Sequence, residues 1–191
     1  GVRLQGGVVI DADFVIQGVG VVPNVELARD AGLAVASGVM VDSHLRTSHP
    51  DVLAAGDIAD HEHPVLGRRI RIEHWANALN QGLAAGANAA GADQPYDRIP
   101  YFFSDQYDLS LEHSGWPVPW DEVVFRGDPA SEAFVAFYRS GGRVIAGLNV
   151  NVPGINAHVQ EVLEMGGSVD ADRLRDPDVD PEAWARSVDP S

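Results

Sequence analysis

The first 22 residues alternate short apolar runs with turns. Val8-Val9-Ile10 and Phe14-Val15-Ile16 predict strands, and residues 15–19 lead into Gly20. Pro23-Asn24 breaks that run. Asn24 reads as the N-cap of a helix over residues 25 to about 31, with Glu26 in its first turn and Gly32 as its stop. A short strand follows at 39–42, then a turn-rich connection over 43–51. Val52-Leu53-Ala54-Ala55 is apolar and predicts a buried strand that ends at Gly56-Asp57. Residues 67–72 alternate arginine with apolar residues, the pattern of a half-exposed strand. Residues 74–90 are mostly Ala, Gly, Asn and Leu and predict a helix ended by Gly91.

Pro95 and Pro100 bound a linker with few apolar residues, which predicts a domain boundary. Beyond it the period changes. Residues 107–113, 122–126, 134–139 and 143–150 read as strands, with Gly141-Gly142 as a hairpin turn. Phe134, Ala136 and Tyr138 share one face and Val135 and Phe137 the other. Asn156 opens an amphipathic helix to Met165 with Val159, Val162 and Leu163 inward and Gly166-Gly167 as its stop. Residues 171–175 and 182–186 predict short helical pieces. Residues 176–181 are acidic and predict poor structure, and the last residues predict fraying. The first part is therefore α/β in character. The second is α+β with an antiparallel sheet.

Composition narrows the function. The chain has 191 residues, 45% of them hydrophobic and 21% charged, an ordinary globular balance for one large or two small domains. No apolar run reaches the roughly 18 residues of a membrane span, and no secretory h-region is present. The absence of cysteine excludes disulfides and a redox dithiol and suits the cytoplasm. A net charge of -15 argues against nucleic acid or an anionic membrane as partner. All 13 basic residues are arginine, which reads as the coding bias of a GC-rich bacterium.

Four places carry candidate chemistry. At Gly56-Asp57 the missing Cβ allows close backbone approach and the carboxylate offers acceptors to ligand hydroxyls; taken alone, the pair reads first as an ordinary strand-to-loop turn. Asp60, His61 and His63 invite a metal reading, but the spacing lacks a fourth well-placed ligand, so a surface loop is expected and no metal. Arg68, Arg69 and Arg71 form the densest positive patch in an acidic chain, either a solvated edge strand or a docking site for an acidic partner. The helix starting near Trp75 presents unpaired N–H groups and a partial positive charge. His158 with Glu161 reads as a surface pair.

Thr47, six residues, and then Ala54-x-Gly56-Asp57 resemble the second flavin-binding motif of two-dinucleotide-binding-domain flavoproteins. Gly18-Val19-Gly20-Val21-Val22-Pro23-Asn24 resembles the end of their NADH-binding insert. Arg71-Ile72-Glu73-His74-Trp75-Ala76-Asn77-Ala78 and Pro100-Tyr101-Phe102-Phe103-Ser104-Asp105-Gln106-Tyr107 resemble one branch, the FAD-dependent ferredoxin reductases of the pyridine nucleotide-disulfide oxidoreductase superfamily.

The resemblance implies a remnant of the two-dinucleotide-binding-domain fold: residues 1–22 ending the NADH-binding domain, 23–98 completing the FAD-binding domain, and 99–191 forming the reductase C-terminal domain. It implies an oxidoreductase that takes a hydride from NADH onto FAD and passes single electrons to a [2Fe–2S] ferredoxin serving a monooxygenase or dioxygenase. It assigns Gly20 to the nicotinamide side, Asp57 and Gly56 to the ribityl chain, and Glu73, His74, Trp75 and Ala76 to the flavin edge. Ser104 and Gln106 become polar contacts to the ring, and Arg68, Arg69 and Arg71 the ferredoxin dock. No side chain is implied as a nucleophile or metal ligand. A homodimer is a further implied partner. The Gly-x-Gly-x-x-Gly phosphate loops of the family are not in this sequence, so the resemblance implies the C-terminal part of a longer enzyme. Two alternatives stand beside it: an inert dimerisation or docking module without bound FAD, and another flavin reductase of the same fold.

Overall fold

The computed structural model describes residues 1–116 and 119–189. The chain opens with a two-stranded antiparallel ribbon, β1 (Val2–Arg3) against β2 (Val9–Ile10). The strand expected at 14–16 does not form. Phe14, Ile16, Val19 and Val22 stand in the open, because no neighbouring strand pairs with them among the described residues. Helix α1 (Glu26–Asp30) starts from Val25 rather than Asn24 and has no side-chain cap.

Strand β3 (Val39–Val41) runs parallel to β4 (Ala59–His63), and β5 (Arg68–Ile70) returns antiparallel along β4. Helix α2 (Trp75–Ala89) packs beside them, and Val41, Leu45, Ala59 and Tyr96 form the small core between. Two expectations fail here. Residues 52–55 are extended but make one bridge, Arg46 to Leu53, instead of a strand; the sheet position is taken by β4. Asp60, His61 and His63 are not in a surface loop but lie buried on β4, each 5% exposed or less. Neutral imidazoles behave as aromatic core there. His61 sits 5.4 Å from the His63 ring and 5.5 Å from Tyr96, and His63 Nε2 meets the Arg98 carbonyl at 3.0 Å. Asp60 accepts from Ser37 Oγ at 3.1 Å and faces Arg69. Among the described residues no three potential ligands are grouped to hold a metal.

The proline-bounded linker is tied down rather than free. Tyr96 N donates to Ser43 O at 2.8 Å, and the Asn88 side chain brackets Gln94. After it comes a five-stranded antiparallel sheet in the order β6 (Tyr101–Gln106), β7 (Leu109–Gly115), β10 (Arg143–Val150), β9 (Ala133–Ser140), β8 (Glu122–Asp128). Tyr107, expected in a strand, instead turns the β6–β7 hairpin at φ 55°.

Helices α3 (Asn156–Met165), α4 (Ala171–Arg175) and α5 (Glu182–Arg186) cover one face of this sheet. The close approach of α3 to β10 needs Gly147, where a Cβ would stand 2.5 Å from Val159 Cγ1. Trp184 is fully buried, edge-on to Phe137 at 5.0 Å, with the Arg126 guanidinium 5.1 Å over its ring. Arg126 also donates to the carbonyls of Asp176, Pro177 and Val179, so residues 176–181 are ordered where disorder was expected. Asp189 pairs with Ser168 through the backbone; the fraying expected of the last residues falls on Pro190 and Ser191, outside the described residues. No helix among the described residues is long and apolar enough to cross a membrane.

Two predictions follow from the buried groups. Burial lowers both His61 and His113 from 6.5 to about 4. The unfolded chain therefore binds protons between pH 6.5 and about 4 that the fold refuses, and the stability carried by the neutral rings is lost as pH falls through that window. Urea midpoints should drop between pH 7.5 and pH 4.5, and His113→Phe should flatten that drop. Trp184→Ala should cost about 3–5 kcal/mol in urea unfolding, the usual loss for a large buried aromatic.

Candidate functional site

The extended segment 52–55 delivers the chain into a 3₁₀ turn, Gly56–Ile58. Gly56 adopts φ +78°, and a Cβ there would touch Ala78 of α2 at 3.4 Å. Its amide donates to Gln81 Oε1 at 2.8 Å, and Gln81 is only 2% exposed. The Asp57 carbonyl accepts from Arg71 Nη1 at 2.9 Å, and the same nitrogen reaches Glu73 Oε1 at 2.5 Å. The turn is thus held from both sides through its backbone, which leaves the exposed Asp57 carboxylate without a hydrogen bond or ion pair.

Helix α2 begins beside this turn. His74 is its N-cap but makes no capping hydrogen bond, and no acidic residue lies in the first turn. The leading amides of a 15-residue helix therefore keep their partial positive charge without a protein acceptor. Trp75, the first helical residue, is 73% exposed. The His74 ring packs on Phe102 at 4.6 Å, and Phe102 stacks on His113 at 5.1 Å, so the helix start is braced against the C-terminal sheet. Burial lowers the His74 pKa while Asp57 and Glu73 act against that. An apolar cleft of about 400 Å³ lies along these rings, bounded by Pro100, Tyr101 and Trp116. A larger polar cleft of about 750 Å³ lies between α2 and α3, lined by Asn77, Tyr101, Glu112 and Gln160.

The expected residues divide accordingly. Gly56, Asp57, Glu73, His74, Trp75 and Ala76 come together at the turn and the helix start. Gly20 sits in the open segment before α1 with nothing within 4 Å of its Cβ position. Ser104 and Gln106 bond each other at 3.4 Å and lie roughly 7 and 13 Å along β6 from Phe102, at the β6–β7 turn. The three arginines are not one free patch. Arg69 donates to the carbonyls of Val41 and Asp60 and pairs with Asp60, and Arg71 holds Asp57 and Glu73, which leaves Arg68 as the exposed cation without a bonded partner. Sequence reading missed Gln81, Phe102 and His113. For Gln81 a signal existed: Asn77, Gln81 and Asn88 are carboxamides on one face of an Ala-rich helix, and all three are buried.

A free carboxylate, an uncapped helix start and an exposed indole are groups that could meet a planar ligand carrying hydroxyls and negative charge, as a flavin does.

Residues 1–82 match the pyridine nucleotide-disulphide oxidoreductase family and residues 101–184 the reductase C-terminal domain. The chain is 42% identical over 171 residues to the ferredoxin–NAD(+) reductase component of an anthranilate 1,2-dioxygenase system from Burkholderia cepacia, covering 89% of this chain and 42% of that one. Putidaredoxin reductase of Pseudomonas putida is 38% identical over 152 residues, 80% of this chain and 36% of its own. A crystal structure of a ferredoxin reductase from Rhodopseudomonas palustris superposes with a TM-score of 0.90 at 37% identity, over 96% of this chain and 45% of that one. A covalent putidaredoxin reductase–putidaredoxin complex gives 0.87 at 34% identity, over 96% and 44%. The chain spans less than half the length of these relatives.

If Trp75 faces a ligand rather than a core, Trp75→Ala should change stability by no more than about 0.5 kcal/mol in urea unfolding, whereas Gly56→Ala, strained at φ +78°, should lose about 1 kcal/mol or more.

Proposed function

We infer that the chain belongs to the ferredoxin-reductase branch of the pyridine nucleotide-disulphide oxidoreductases and forms the flavin-edge and C-terminal portion of an enzyme moving electrons from NADH through FAD to a ferredoxin. The observation that carries this reading is the unpartnered Asp57 carboxylate beside the uncapped start of α2, whose first residue, Trp75, is exposed. The terminal acceptor is a [2Fe–2S] ferredoxin of an oxygenase system, and the enzyme works in the cytoplasm, as the lack of cysteine suits.

FAD, when bound, supplies the two-electron acceptor and one-electron donor chemistry. The protein supplies grip and field. Asp57 would hold the ribityl hydroxyls by accepting their hydrogen bonds. The leading amides of α2 would stabilise negative charge on the reduced flavin and so raise its reduction potential. Trp75 would shield the ring from water. The His74–Phe102–His113 stack holds the helix start against the C-terminal sheet. Arg68 remains as the cation that can steer an acidic ferredoxin toward this edge. The exposed apolar residues Phe14, Ile16, Val19 and Val22 favour a second reading, a docking module that binds protein and no flavin.

Adding FAD to the 191-residue chain separates the two. The proposal expects flavin uptake, seen as quenched flavin and tryptophan fluorescence, and about tenfold or greater weakening in Asp57→Asn through loss of a charge-assisted hydrogen bond. A wild-type chain that leaves FAD free would contradict the flavin reading and support the docking module.

A further inference from the structure

We propose that Gln81 is a positioning residue for Asp57. The inference rests on the flavin reading of the site and extends it to a side chain that touches no ligand. Gln81 is buried in the second turn of α2, and its Oε1 accepts the Gly56 amide at 2.8 Å across 25 residues of sequence. That amide belongs to the residue immediately before Asp57. Gly56 has the positive φ that turns Asp57 outward, and the space beside it is closed by Ala78, three residues before Gln81 on the same helix.

The geometry has a consequence. Asp57 and the start of α2 belong to two separate segments of the chain, and a ligand gripped by both needs their spacing fixed. Packing at Ala78 sets how near the turn can come. It does not set the rotation of the turn about its own axis. The directional hydrogen bond to Gln81 does, and Arg71, bonded to the Asp57 carbonyl, acts on the other side of the same residue. An exposed loop with its carboxylate unpartnered would otherwise sample many orientations at an entropic cost to binding. Gln81 converts that freedom into one fixed direction before ligand arrives.

The test uses the 191-residue chain and three variants. Gln81→Met keeps the volume and removes the acceptor; Gln81→Glu keeps an acceptor oxygen; Asp57→Asn removes the charge directed at the ligand. Amide exchange at Gly56, followed by NMR without flavin, should be slow in wild type and Gln81→Glu and at least tenfold faster in Gln81→Met, with the amides of α2 unchanged. FAD titration should then show Gln81→Met weakened about as much as Asp57→Asn, with the double variant no weaker than Asp57→Asn alone, since both lose one contact.

Equal Gly56 protection in Gln81→Met overturns the proposal, as does a double variant in which the two losses add in full. If wild type takes up no FAD, the flavin reading of the site falls by itself. The Gly56 exchange together with the backbone order of Asp57 then decides the positioning role: a Gln81→Met chain in which Asp57 loses order upholds it, and unchanged order overturns it.

Discussion

The close seating of one turn against one helix is the constraint on which the site depends. Gly56 lies within reach of Ala78 and Gln81 at φ +78°, a backbone conformation in which a side chain would be strained. That seating places an unpartnered carboxylate next to an uncapped helix start. Either feature alone is common on protein surfaces. Their juxtaposition, with the Gly56 amide and the Asp57 carbonyl already bonded, leaves two kinds of unspent polar capacity side by side. Acceptors and donors there are the two halves of what a polyol chain attached to an electron-rich ring requires.

The remainder of the fold braces this arrangement. Strands β3, β4 and β5 give the turn a base: Arg69 joins β3 to β4 through the Val41 and Asp60 carbonyls, and Arg71 ties the end of β5 to the turn through the Asp57 carbonyl. The five-stranded sheet reaches the helix start through Phe102, held between the rings of His74 and His113. The sheet in turn gains rigidity from α3 and the Trp184–Phe137 contact on its other face. A perturbation of the C-terminal core therefore has a physical route to the helix start, through one Phe side chain.

Much of this was legible in the sequence. The strands after residue 107 and the helix at 156–165 follow their patterns because alternation, a Gly-Gly turn and an αL glycine at Gly166 all point to the same structure, whereas the edge strand β6 was not read as a strand. The motifs around Gly56-Asp57 and Glu73-His74-Trp75 likewise led to the residues that the fold brings together. Where reading failed, the cause was a property that hydropathy does not carry. His61 and His63 count as polar in a pattern, yet as neutral rings they fill a core. Residues 52–55 are apolar but lose the sheet position to β4, since pairing depends on neighbours and not on the run itself. Arg69 and Arg71 look like surface charge until their carbonyl partners are known. Gln81 hid among small residues because its role is a single bond to a distant turn.

The central claim is that the Asp57 turn and the start of α2 form one ligand-facing surface. A ¹H–¹⁵N NMR map of the chain with riboflavin, which carries the ring and ribityl chain but no phosphate, tests it most directly. The account predicts shifts concentrated at Gly56, Asp57, the Trp75 indole N–H and Ala76. Shifts confined to the five-stranded sheet or to the cleft between α2 and α3, with the turn and helix start unmoved, would contradict it.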